Sequence, residues 1–148
     1  MLREIGAIIG AYLLGSILFA ALVAKWKGKD LWKVGTKNPG TINAFQTFGT
    51  WPGVLVLLGD IAKGLIPVYF AMKFQFQELV VYLTGVAAIL GHVFPLYFQF
   101  RGGKGKAVTI GIILALLLWG GTLQYATFFI LALIIFFIIP MHKRGLRA

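Results

Sequence analysis

The sequence predicts an all-α bundle of about five membrane-spanning helices, organised as a single domain over residues 1–148. Three observations carry this expectation. Of the residues, 59% are apolar and only 12% charged, where a soluble domain averages about half and about a quarter. The mean hydropathy of +0.90 is too high for a disordered chain. Lys and Arg outnumber Asp and Glu 14 to 4, giving +10, and they gather between apolar runs. In a membrane protein such an excess marks cytoplasmic loops rather than a nucleic-acid surface, so no nucleic-acid partner is expected. The absence of cysteine excludes disulfides, thiolate chemistry and Cys-bound metal. With only His92 and His142 to supply imidazole, no metal site and no cofactor are expected.

A hydrocarbon-spanning helix needs about 20 mostly apolar residues. Ile5 to Ala24 meets this without a charge and outruns the apolar core of a signal peptide, so it reads as a retained first span. Gly6, Gly10 and Gly15 within it fit close helix packing. Pro52 to Met72 is the second span, although Asp60 and Lys63 sit inside it. Leu79 to Phe98 is the third. Ala107 to Trp119 is a short or tilted fourth, and Gln124 to Met141, rich in Phe and Ile, is the fifth.

The basic residues orient this map. Eleven fall in the 25–37 segment, the 101–106 segment and the C-terminal tail, against Arg3 and Lys73 on the other side. Five alternating crossings give that split with the N-terminus outside and the C-terminus cytoplasmic. A multi-pass protein of the inner membrane is therefore expected, with its Gly- and Lys-rich loops on one face. Trp26, Trp32, Trp51 and Trp119 fall at span ends, where indoles favour the interface.

Four polar constellations interrupt the apolar sequence. Gly35-Thr36-Lys37-Asn38-Pro39-Gly40-Thr41-Ile42-Asn43 combines residues that tolerate positive φ with small polar side chains and one cation. Such a segment is either a surface turn with helix-capping Asn and Thr or a backbone nest for phosphate. Arg101-Gly102-Gly103-Lys104-Gly105-Lys106 precedes an apolar helix, whose first turn offers unpaired N–H groups and a positive dipole end. It lacks the spacing of a P-loop. A loop that merely fixes topology does not need so many glycines, which favours anion binding.

The other two constellations lie within spans. Asp60 and Lys63, at i and i+3, share one helix face. A charge at mid-membrane costs roughly 2.5–3.5 kcal/mol, so the pair is either self-neutralising or functional, with Asp60 orienting Lys63 toward a phosphate. His92, in Gly91-His92-Val93-Phe94-Pro95, is a packing histidine or an acid/base group.

Taken together, these segments resemble the PlsY-type acyl-phosphate:glycerol-3-phosphate acyltransferases of bacteria. The matching stretches are AYLLGSI (Ala11 to Ile17), KGKDLWKVG (Lys27 to Gly35) and NPGTIN (Asn38 to Asn43). GDIAKGLIP (Gly59 to Pro67) and GHVFPLYFQFRGGKG (Gly91 to Gly105) follow in order and at ungapped spacing. The resemblance implies transfer of a fatty acyl group from acyl phosphate to the 1-hydroxyl of sn-glycerol 3-phosphate, at the cytoplasmic face and beside membrane lipid. It implies catalytic roles for Thr36, Lys104 and His92. It implies substrate binding by Lys37, Asn38, Gly40, Asn43, Asp60, Lys63, Arg101, Gly102, Gly103 and Gly105.

The chain also departs from the family's pattern. Thr36 replaces a Ser, Lys37 a Gly, and Gln46 an Arg. Lys106 stands where the family inserts Val, and the family's final pair of spans and His-Arg-Glu-Asn tail have no counterpart beyond His142-Lys143-Arg144. A second expectation is therefore a PlsY-like membrane protein that binds phosphorylated lipid precursors without turnover.

Overall fold

The computed structural model describes residues 1–119 and Ile134, so the expected fifth span and His142 lie outside the described residues. Among the described residues the fold is entirely helical. The helices are α1 (Leu2–Gly15), α2 (Phe19–Trp26), α3 (Thr41–Phe48), α4 (Thr50–Lys73), α5 (Glu78–Val93) and α6 (Lys106–Leu118). A single 3-10 turn, Leu96–Phe98, follows α5. Three stretches are long and apolar enough to cross a membrane: Leu2–Trp26, Thr50–Lys73 and Glu78–Phe98. These agree with the first three expected spans. At the place of the expected fourth span stands α6, an apolar helix whose 13 residues rise only about 20 Å.

The first span differs from an uninterrupted helix. It breaks at Ser16–Leu18, between α1 and α2. Ser16 Oγ donates back to the Tyr12 carbonyl at 2.8 Å, a local bond that bends helices. The Ile17 carbonyl accepts a bond of 2.7 Å from Lys63 Nζ. The third span also ends sooner than its apolar run, at Val93, because Pro95 disfavours helical backbone in the residue before it. α3 is a helix in a stretch expected to be loop. Gly40, extended at φ −138°, starts it and Gly49 in a left-handed conformation ends it.

Glycine sets how closely the long helices pack. A Cβ on Gly15 would meet the Ala88 carbonyl, and one on Gly91 the Tyr12 carbonyl, so α1 lies backbone to backbone on α5. Gly64 and Gly111 place α4 and α6 equally close, against the Val108 and Ile61 carbonyls. Small residues at such crossings replace the hydrophobic force that lipid cannot supply. Among the described residues Gly6 and Gly10 have no such neighbour, and the packing role expected of the three glycines is seen at Gly15. α4 and α6 run side by side in the same direction, from Gly64 beside Val108 to Tyr69 beside Trp119, so α6 begins at one end of the bundle level with the middle of α4. α5 ends there too, with His92 beside Asp60 of α4.

Candidate active site

At that end the segments before α3 and before α6 meet over a cavity of about 640 Å³. Thr36, Lys37, Asn38 and Gly40 line it from the first segment, and Arg101, Gly102, Lys104 and Gly105 from the second. Asp60 and His92 form its floor. Two helix N-termini open onto it, α3 through Gly40–Ile42 and α6 through Gly105–Ala107. Each presents backbone N–H groups that the helix leaves unpaired. Lys37, Arg101, Lys104 and Lys106 add four cations to a wall whose one described carboxylate, Asp60, is already paired with Lys63 at 3.0 Å. The cavity is built for anions, and its volume admits more than one phosphoryl group.

The glycines of the second segment let it wrap His92. The Gly103 N–H donates to the His92 carbonyl at 3.0 Å. A Cβ on Gly103 would strike His92 Nε2 and crowd the Pro39 carbonyl. One on Gly102 would strike the His92 and Val93 carbonyls. Gly105, left-handed at φ 75°, turns the chain into α6. Trp32 clasps the two segments: its Nε1 donates to the Arg101 carbonyl at 3.3 Å and its ring packs on Phe98.

Three residues expected to bind substrate do not line the cavity. Asn43 is fully buried; its Oδ1 accepts from the Thr36 N–H at 2.8 Å and from Thr47 Oγ1 at 3.0 Å, and its Nδ2 donates to the Val34 carbonyl. It shapes the turn that carries Thr36. Gly103 faces His92 instead of the open space. Lys63, 1% exposed, spends its ammonium on Asp60 and on the Ile17 carbonyl. The pair thereby neutralises itself and ties α4 to the break in the first span. Lys63→Met leaves the Asp60 carboxylate buried without its cation, and a loss of about 3–5 kcal/mol is expected. Thermal denaturation in detergent measures it; an unchanged midpoint rejects the strut.

Trp32 and Phe94, to which the sequence alone gives no binding role, also line the cavity. Trp32 carried a signal, an indole beside the glycine-bearing segment, but indoles at span ends are explained by the interface alone. Lys37 holds a left-handed φ of 57°, a position that favours glycine. Its backbone thus takes a turn that glycine favours while its side chain brings a cation to the wall.

The model of a protein family described as glycerol-3-phosphate acyltransferase matches residues 5–143. Glycerol-3-phosphate acyltransferases are 46% identical over 116 residues in Geotalea daltonii and 44% over 115 residues in Aquifex aeolicus. These matches cover 78% and 77% of this chain. The protein from Coxiella burnetii is 46% identical over 125 residues, 84% of this chain and 65% of the relative. The chain spans 60% of the length of the first and second of these relatives. Among solved structures, the integral membrane glycerol 3-phosphate acyltransferase PlsY in its lysophosphatidic acid form superimposes with a TM-score of 0.72 at 39% identity, covering 87% of this chain and 62% of that one. Its glycerol 3-phosphate form gives 0.77 at 31% identity, covering 98% and 90%. A multi-pass helical bundle, the ordered glycine and lysine segments around one cavity, and these likenesses agree: the chain belongs to the glycerol-3-phosphate acyltransferase family.

Proposed function

We propose that this chain transfers a fatty acyl group from acyl phosphate to the 1-hydroxyl of glycerol 3-phosphate, giving lysophosphatidic acid and inorganic phosphate. The observation that carries the reading is the convergence of two cationic, glycine-turned segments and two helix N-termini on one cavity. The solved relatives in glycerol 3-phosphate and lysophosphatidic acid forms support it.

In this reading the Gly102–Gly105 loop, Lys104 and the start of α6 hold the acyl phosphate. Thr36, Lys37, Asn38 and the start of α3 hold the acceptor's phosphate. The acceptor oxygen attacks the acyl carbonyl carbon, a C–O bond forms, the anhydride C–O bond to phosphate breaks, and the hydroxyl proton leaves with the phosphate. His92, backed by Asp60 at 3.6 Å, keeps the loop in register. Catalysis then rests on positioning and on neutralising charge. The membrane reading that accompanies it has five crossings, the N-terminus outside, the C-terminus cytoplasmic, and the cavity at the cytoplasmic face of the inner membrane.

One observation favours binding without turnover. Gln46 stands in place of the family's Arg, exposed on α3 one turn beyond Ile42 of the cavity wall. An Arg there reaches toward the acceptor's site. With purified protein, acyl phosphate and labelled glycerol 3-phosphate, Gln46→Arg is expected to raise turnover by about ten-fold, the worth of one added charge-assisted bond. No product from either protein hands the case to the binding reading.

A further inference from the structure

The Arg101–Gly105 loop is presented by a turn that the sequence itself disfavours. Gln99 and Phe100 are both left-handed, at φ 53° and 60°. Each such residue other than glycine disfavours the conformation by about ten-fold. Backbone bonds close the turn, from the Phe100 N–H to the Pro95 carbonyl at 2.9 Å and from the Arg101 N–H to the Phe98 carbonyl at 3.0 Å. Strain of this kind persists only where the surroundings over-determine it.

The surroundings here are the end of α1. Tyr12 Oη donates to the Phe94 carbonyl at 2.9 Å. Ser16 Oγ, fully buried, accepts from the Leu96 N–H at 3.2 Å. The two bonds join residues 82 and 80 apart in sequence, and they grip the chain on either side of Pro95. The Pro95 carbonyl is itself the acceptor that closes the turn. Neither Tyr12 nor Ser16 lines the cavity.

We propose that Tyr12 and Ser16 are positioning residues for the glycine loop, holding the Gln99–Phe100 turn in the left-handed conformation that aims Arg101–Gly105 into the cavity. The kinetic part of this inference rests on the transferase reading; its conformational part does not. The test combines Tyr12→Phe with Ser16→Ala, then adds Gln99→Gly, which removes the penalty at an exposed residue outside the cavity.

Backbone hydrogen exchange at Arg101–Lys106 is expected to quicken about ten-fold in the double variant. The KM for acyl phosphate rises by a similar factor while that for glycerol 3-phosphate stays within about two-fold. Gln99→Gly in that background restores most of both. Unchanged exchange in the double variant, equal shifts in both KM values, or no recovery with Gln99→Gly overturns the inference. A wild-type protein with slow loop exchange and no turnover removes the transferase reading instead, and the exchange result then decides this one.

Discussion

Lys104→Ala is expected to reduce acyl-phosphate-dependent turnover by about a hundred-fold to a thousand-fold, the usual cost of removing one preorganised group facing developing charge. Lys104 lies between Gly103 and Gly105, half-buried at the mouth of α6. No described carboxylate pairs with it, so its charge is spent on whatever enters the cavity. In the proposed transfer, negative charge builds on the oxygens of the leaving phosphate, which the Lys104 ammonium and the N-terminal dipole of α6 would both face. Lys104→Arg keeps the charge but not the compact shape, and it is expected to recover only part of the rate. The change touches no buried partner, so the thermal midpoint is expected to stay within that of a surface substitution, about 0.5 kcal/mol. Turnover equal to wild type in Lys104→Ala moves the donor's phosphate elsewhere.

Gly103→Ala is expected to be as severe by a different route. Its Cβ has no open direction: His92 Nε2 lies on one side and the Pro39 carbonyl on another. Either the ring of His92 turns away from Asp60, or the loop lifts off and separates the Gly103 N–H from the His92 carbonyl. Overpacking of this kind costs about 1–3 kcal/mol. Because Pro39 belongs to the first segment, the displacement reaches both halves of the cavity. Turnover is expected to fall by at least about a hundred-fold, since a shift of about 1 Å at reacting groups already costs that much. Phosphate-dependent thermal stabilisation should disappear with it. Retention of both in Gly103→Ala rejects the tight wrapping of His92.

The contrast between these positions and those that sequence misplaced has a physical basis. The loop before α6 was legible because three short-range signals coincide: glycines, cations and the start of an apolar run. The turn at Gly35–Gly40 carries glycines and one cation but no following apolar run, so a surface turn and a phosphate nest read alike there. Asn43 was not, because a polar side chain beside a polar loop looks ligand-facing, whereas its partners are backbone and hydroxyl groups within nine residues. The break in the first span was hidden more deeply. Ser16-Ile17-Leu18-Phe19 continues an apolar run, and what interrupts the helix is Lys63 and Leu96, remote in sequence. α3 was missed because eight residues with two Thr and one Asn carry weak helical preference, and its ends are set by glycines read as loop. Lys63 and Asp60 were seen as a pair from spacing alone; only the fold shows that the ammonium faces the break and the carboxylate faces the cavity.

The brevity of α6 bears on how two chemically unlike reactants meet. A helix about 20 Å long is about 10 Å shorter than a hydrocarbon slab is thick. Its starting turn, with the glycine loop attached, lies beside Gly64, midway along α4. In the proposed transfer, a helix start so placed lets a donor anchored by a fatty tail enter sideways from the leaflet while a small, water-borne acceptor enters from the aqueous side. In that reading the shortened helix sets the depth at which oil and water share one reaction.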